Sequence, residues 1–107
     1  MTTPKTKEEI LALLTALGDN AHDVAGCLMQ LGIRGTPATC RSCPIAEYLI
    51  SKGVEMRYPS DGVNISDDCV AVAADRNYYI YKQNQLYGVK EFIRGFDRGN
   101  YPQCEIA

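Results

Sequence analysis

The sequence predicts an α+β fold: three N-terminal helices, a small antiparallel sheet of three to four short strands, and one C-terminal helix. Three observations predict it. Ile10, Leu13, Leu14 and Leu17 recur at i, i+3, i+4 and i+7, the spacing of one helical face. From Val54 the period changes to alternation, punctuated by Pro59-Ser60-Asp61-Gly62 and Asp67-Asp68 turn signals. A closing stripe of Val89, Phe92, Ile93 and Phe96 restores the helical period. Helices and strands segregated along the chain, rather than interleaved, belong to the α+β class.

Taken in order, the first helix is expected from about Lys7 to Leu17. Thr6 is its N-cap, with Glu9 as capping-box partner, and Gly18 is the stop. The second starts after Asn20, with Asp23 favouring its positive end, lines its inner face with Val24, Cys27, Leu28 and Leu31, and stops at Gly32. The third runs from about Pro44, a residue suited to the first helical position, to Lys52. Strands follow at Val54–Tyr58, Val63–Ile65, Cys69–Ala73 and Tyr78–Lys82, and the last helix spans roughly Gly88 to Arg98.

Bulk properties bound the function. The 107 residues, 46% hydrophobic and 22% charged, read as a single domain over residues 1–107 that can bury a core without disulfides or metal. A net charge of −2 disfavours nucleic acid as the main partner, since polyanion binders are usually basic. The apolar runs Ile10–Leu14 and Cys69–Ala74 fall far short of the roughly 20 residues that span a bilayer. No signal-peptide core is present at the N-terminus, so the chain is expected to be cytoplasmic, with no membrane association. Five cysteines, an odd number in that context, argue against a disulfide framework.

Two segments stand out: Cys40-Arg-Ser-Cys-Pro-Ile-Ala-Glu-Tyr-Leu49 and Val89-Lys-Glu-Phe-Ile-Arg-Gly-Phe-Asp-Arg-Gly-Asn-Tyr-Pro102. The pair resembles small uncharacterised actinobacterial and actinophage proteins with a "CP-x-A-x-YL" helix and a closing "F-x-x-x-FD-x-G-x-YP" segment. The similarity covers the last two-thirds of the chain. It implies a shared fold and a phage or mobile-element setting, which favours a small binder over a metabolic enzyme.

The loop before the third helix suggests an anion site. Arg34, Gly35, Thr36, Thr39, Arg41 and Ser42 precede a helix N-terminus, where free N–H groups and the helix dipole attract phosphate or carboxylate, as of a nucleotide. The loop matches no P-loop. A solvated, capped connection is the plainer reading.

Cys40 and Cys43 form half of a tetrahedral zinc site, with Cys27 as a third ligand from the second helix. The second close pair of a zinc knuckle is missing. The spacing superficially resembles WhiB-type iron–sulfur proteins, but their fourth close cysteine and Gly-Trp-Gly-Gly turn are absent, and that reading is rejected. A thiol redox pair Cys40/Cys43 is a further alternative, although it lacks the strand-to-helix context of thioredoxin-like motifs. His22 is the single histidine, and nothing assembles a nucleophile, base and orienter. An enzyme is not expected, nor any cofactor, with zinc the alternative.

Seven tyrosines are many for this length, and Tyr78, Tyr79 and Tyr81 crowd one strand. Tyr79 and Tyr81 share a pleat face and make a candidate partner surface. Lys90, Arg94 and Arg98, at i, i+4 and i+8, set three cations on one stripe of the last helix. The leading expectation is a non-enzymatic binding protein that holds a protein partner or a small anionic ligand. The alternatives are a zinc-stabilised module contacting nucleic acid and a thiol redox protein.

Overall fold

The computed structural model describes residues 6–37, 42–56, 61–74, 76–82 and 84–105. Helices α1 (Lys7–Thr15), α2 (Ala21–Leu31) and α3 (Pro44–Ser51) precede strands β1 (Gly62–Ile65), β2 (Cys69–Ala74) and β3 (Asn77–Lys82). Helix α4 (Tyr87–Asp97) and a 3₁₀ turn at Pro102–Cys104 close the chain. The fold class is the α+β arrangement that the sequence predicts.

The helix starts fall within a residue of where the sequence puts them, because the caps are chemical, whereas α1 stops at Thr15, two residues before the expected Leu17. The Glu9 N–H donates to Thr6 Oγ1 and the Thr6 N–H to Glu9 Oε1, each at 3.1 Å, so the capping box closes. Asn20 Oδ1 accepts from the Asp23 N–H at 2.9 Å. At Gly32 the backbone turns left-handed, with φ 71°, and the Ile33 N–H closes onto the Leu28 carbonyl, a glycine stop. That stop comes one residue after Leu31, which is left exposed; α2 instead buries Val24, Ala25 and Leu28.

The sheet is antiparallel with order β1-β2-β3. Its register fixes four cross-strand rows: Val63–Val72–Tyr79, Ile65–Val70–Tyr81, Gly62–Ala73–Tyr78 and Asn64–Ala71–Ile80. The first two rows face the helices. The other two lie on the opposite pleat.

A single core cluster joins Ile10 and Leu14 of α1, Val24 and Leu28 of α2, Ile45 and Leu49 of α3, Val70 and Val72 of β2, and Phe92 and Phe96 of α4. α2 packs chiefly on α4. Phe92 stacks on Phe96 at 5.7 Å between ring centroids and lies 5.1 Å from the Tyr101 ring. Each fully buried aliphatic or aromatic side chain here stabilises the fold by roughly 1.5–3 kcal/mol. Two buried tyrosines tie α1 in place. Tyr48 of α3 donates its hydroxyl to the Leu13 carbonyl at 2.8 Å, and Tyr81 of β3 donates to the Lys7 carbonyl at 2.9 Å.

Two expectations are corrected. Val54–Met56 form no strand, and Arg57 and Tyr58 lie outside the described residues. The Val54 N–H is bonded to the Leu49 carbonyl at the end of α3. Val54 and Met56 both reach the core, so their alternation reflects burial of a loop rather than a strand. The second correction is Lys90, expected on an outward stripe. It is only 2% exposed. The first turns of α4 bury Gly88, Val89 and Lys90 together, and Lys90 Nζ donates to the Asp67 carbonyl in the β1–β2 turn. The apolar stem of the lysine is therefore part of the packing.

Candidate functional site

Strand β3 has two faces, and they have opposite fates. Tyr81 points to the core and is 1% exposed. Its hydroxyl is spent on α1, and burial pushes its pKa up, with Tyr79 and Glu8 adding to the shift. Tyr79 shares that face and is half-buried against the core. The expected Tyr79/Tyr81 partner surface is thus an interior one. Tyr78 and Ile80, on the other pleat, are 65% and 51% exposed.

The surroundings of Tyr78 and Ile80 are small. Across the strand Tyr78 faces Ala73 and then Gly62, while Ile80 faces Ala71 and then Asn64. Two large apolar side chains therefore stand along one margin of a floor made of Ala71, Ala73 and Gly62, with the exposed Asn64 at its far side. Lys82 continues the same face at the strand end and is exposed.

Among the described residues of the loop before α3, the backbone N–H groups of Gly35 and Thr36 are both taken. The Gly35 N–H donates to the Cys104 carbonyl at 2.9 Å, and the Thr36 N–H to the Ser42 carbonyl at 2.7 Å. A Cβ on Gly35 would lie 2.4 Å from the Pro44 nitrogen, so only glycine allows this approach of the loop to α3. Gly35 also bridges to Glu105, which brings the C-terminal segment against the loop. Cys43 is the N-cap of α3, its Sγ accepting from the Ala46 N–H at 3.4 Å. Those N–H groups are thus committed. Thr39, Cys40 and Arg41 lie outside the described residues.

Arg34 lines an open groove of about 430 Å³ together with Met29, Ile33, Gln103 and Glu105. The groove carries one cation and one carboxylate among the described residues, which gives it little net pull on an anion. Burial raises the Cys104 thiol pKa, and the Arg34 charge partly offsets that shift.

The cysteines are dispersed in role. Cys27 is half-buried, and its charge adds to the burial that raises the Tyr48 hydroxyl pKa. Cys43 is buried at its cap position, and Cys69 Sγ lies 2.9 Å from Ser66 Oγ. Among the described residues no group of three or more His, Cys, Asp or Glu side chains is arranged to hold a metal ion. The proposed ligand set of Cys27, Cys40 and Cys43 includes one residue outside them.

Of the three cations expected together on α4, Lys90 is buried, Arg94 is half-buried with its guanidinium 3.7 Å from the Glu91 carboxylate, and Arg98 is exposed at the helix end. They do not form one stripe. Among the described residues, no helix is long and apolar enough to cross a membrane. No protein-family model, curated protein or solved structure matches the chain.

Proposed function

We propose that the protein is a small non-enzymatic binding protein that holds a protein partner on the outer face of its sheet. One observation carries this reading: Tyr78 and Ile80 stand exposed side by side over the floor of Ala71 and Ala73. Tyrosine gives large contact area at low entropic cost, and it is enriched at interfaces. Contiguous exposed apolar side chains mark interaction sites more often than isolated ones do. The resemblance to actinophage proteins fits a partner supplied by a host cell.

The test compares the chain with Tyr78→Ser/Ile80→Ser, and with Met29→Ser/Leu31→Ser as a control at other exposed apolar positions. Each is used to capture partners from host lysate, after thermal melts show that it folds. A partner held by the parent and the control, but lost by the β3 variant, is the expected outcome. A partner held equally by all three overturns the assignment of the face.

A further inference from the structure

None of the residues that line the groove beside Arg34 belongs to the sheet, so a role for the groove stands apart from the face described above. Its volume of about 430 Å³ lies inside the roughly 300–1,000 Å³ of small-molecule sites. Two segments form it. One is the end of α2 with the residues after it, Met29, Ile33 and Arg34. The other is the 3₁₀ turn, with Gln103, and Glu105 just after it. The bridge between Gly35 and Glu105, with the Gly35 N–H on the Cys104 carbonyl, ties the two segments together.

The charges of the groove are opposite and separate. Arg34 comes from one segment and Glu105 from the other. Among the described residues no ion pair joins them, and neither pairs elsewhere. The bridge sets their backbones about as close as neighbouring strands, about 4.7–4.9 Å, so one small molecule can touch both side chains. The C-terminal pole of α2 adds partial negative charge, since Met29 and Gly32 line the groove and the last turn of the helix holds no basic residue. Met29 and Ile33 add apolar surface.

These features select among ligands by charge. A simple carboxylic acid meets Arg34 but is repelled by Glu105 and the helix pole. A simple amine meets Glu105 but is repelled by Arg34. An uncharged apolar molecule covers both charges and pairs with neither, which costs free energy. A zwitterion satisfies both. We propose that the groove binds an α-amino acid with an apolar side chain: Arg34 holds its carboxylate, Glu105 its ammonium group, and Met29 and Ile33 its side chain. The planar guanidinium suits a carboxylate, which it can grip with two parallel hydrogen bonds.

The experiment titrates the ¹⁵N-labelled full chain with L-leucine, N-acetyl-L-leucine and L-leucinamide. It is run at about pH 6.5, below the roughly 7.7–8.0 pKa of an α-amino group, so that leucinamide keeps its positive charge. Leucine is expected to shift the amides of Ile33, Arg34 and Gln103 saturably. Each derivative lacks one charge and is expected to bind about tenfold more weakly. Two variants assign the contacts. Arg34→Gln is expected to erase the preference for leucine over leucinamide, and Glu105→Gln the preference over N-acetylleucine. Either derivative binding the parent chain as tightly as leucine overturns the proposal, and so does an absence of saturable shifts at those three amides. The ligand comparison on the parent chain decides the matter even where a variant fails to fold.

Discussion

The hydroxyl of Tyr81 donates to the carbonyl of Lys7 at 2.9 Å, joining residues 74 positions apart. The bond is made at the first turn of α1, and the Tyr81 ring fills the space beneath. Removing the oxygen leaves that packing in place. Tyr81→Phe is therefore expected to lose about 0.5–1.5 kcal/mol, the net worth of one hydrogen bond, in urea denaturation with an unchanged slope. A loss several times larger means that the ring has moved as well.

Alkaline pH should weaken the fold. Burial raises the acid pKa values of Tyr48, Tyr81 and Cys104. Each therefore stays protonated in the folded chain at a pH where the unfolded chain has already ionised. The stability they allow is whole below the ordinary values, about 8.5 for the thiol and about 10 for the phenols, and falls as pH rises from there toward the folded values. Melting temperature is expected to be level up to about pH 8 and then to decline, with a shallower decline above about pH 10 in Tyr81→Phe. A curve level through the phenol range contradicts the burial argument.

Two helix glycines should respond with opposite sign to alanine. A Cβ on Gly26 of α2 meets nothing within 4 Å, so Gly26→Ala should stabilise by roughly 0.5–1 kcal/mol through helix propensity. A Cβ on Gly88 of α4 would lie 2.7 Å from the Asn20 nitrogen and 2.8 Å from the Gly18 carbonyl oxygen, all backbone. That contact cannot relax by rotating a side chain, and Gly88→Ala should cost about 1–3 kcal/mol. Chemical denaturation of the pair checks both signs.

Lys90 combines a buried stem with a donor, and the two parts can be separated. Lys90→Met keeps most of the stem and loses the hydrogen bond to the Asp67 carbonyl, an expected cost of about 1–3 kcal/mol for a charged donor. Lys90→Ala loses packing as well and should be worse by at least about 1 kcal/mol. Equal losses would show that the stem contributes nothing.

Cys43 provides a test of the zinc reading. Serine accepts from backbone N–H groups at helix starts at least as well as cysteine does, so Cys43→Ser is expected to change stability by less than about 1 kcal/mol. A chelator should leave the melting temperature unchanged. A large fall in both experiments would return Cys27, Cys40 and Cys43 to the role of ligands.

What was legible in the sequence was mostly what local chemistry decides. Thr6 with Glu9, Asn20 and Pro44 mark where helices begin, and Gly32 marks where α2 ends, each through local backbone chemistry. Orientation was less legible. β3 is apolar or aromatic on both pleats, so alternation alone does not say whether Tyr78/Ile80 or Tyr79/Tyr81 goes inward; the hydroxyl partner on α1 and the packing of the row Ile65–Val70–Tyr81 decide it. Spacing likewise put Lys90 with Arg94 and Arg98. It carried no information on how closely the β1–β2 turn approaches α4. Cysteine is an uncommon helix cap, so the Cys43 cap was concealed by its more familiar chemistry.

The packing of α2 on α4 has a consequence for how the chain comes into being. Residues 21–31 find their main helical partner only in residues 87–97. Contacts of such long sequence separation slow folding, because the intervening chain must be ordered before they form. During synthesis the N-terminal helices emerge first and wait with their apolar sides uncovered. A chain that stops before Tyr87 is then expected to behave as an unfinished protein that chaperones and proteases recognise, rather than as a smaller folded one.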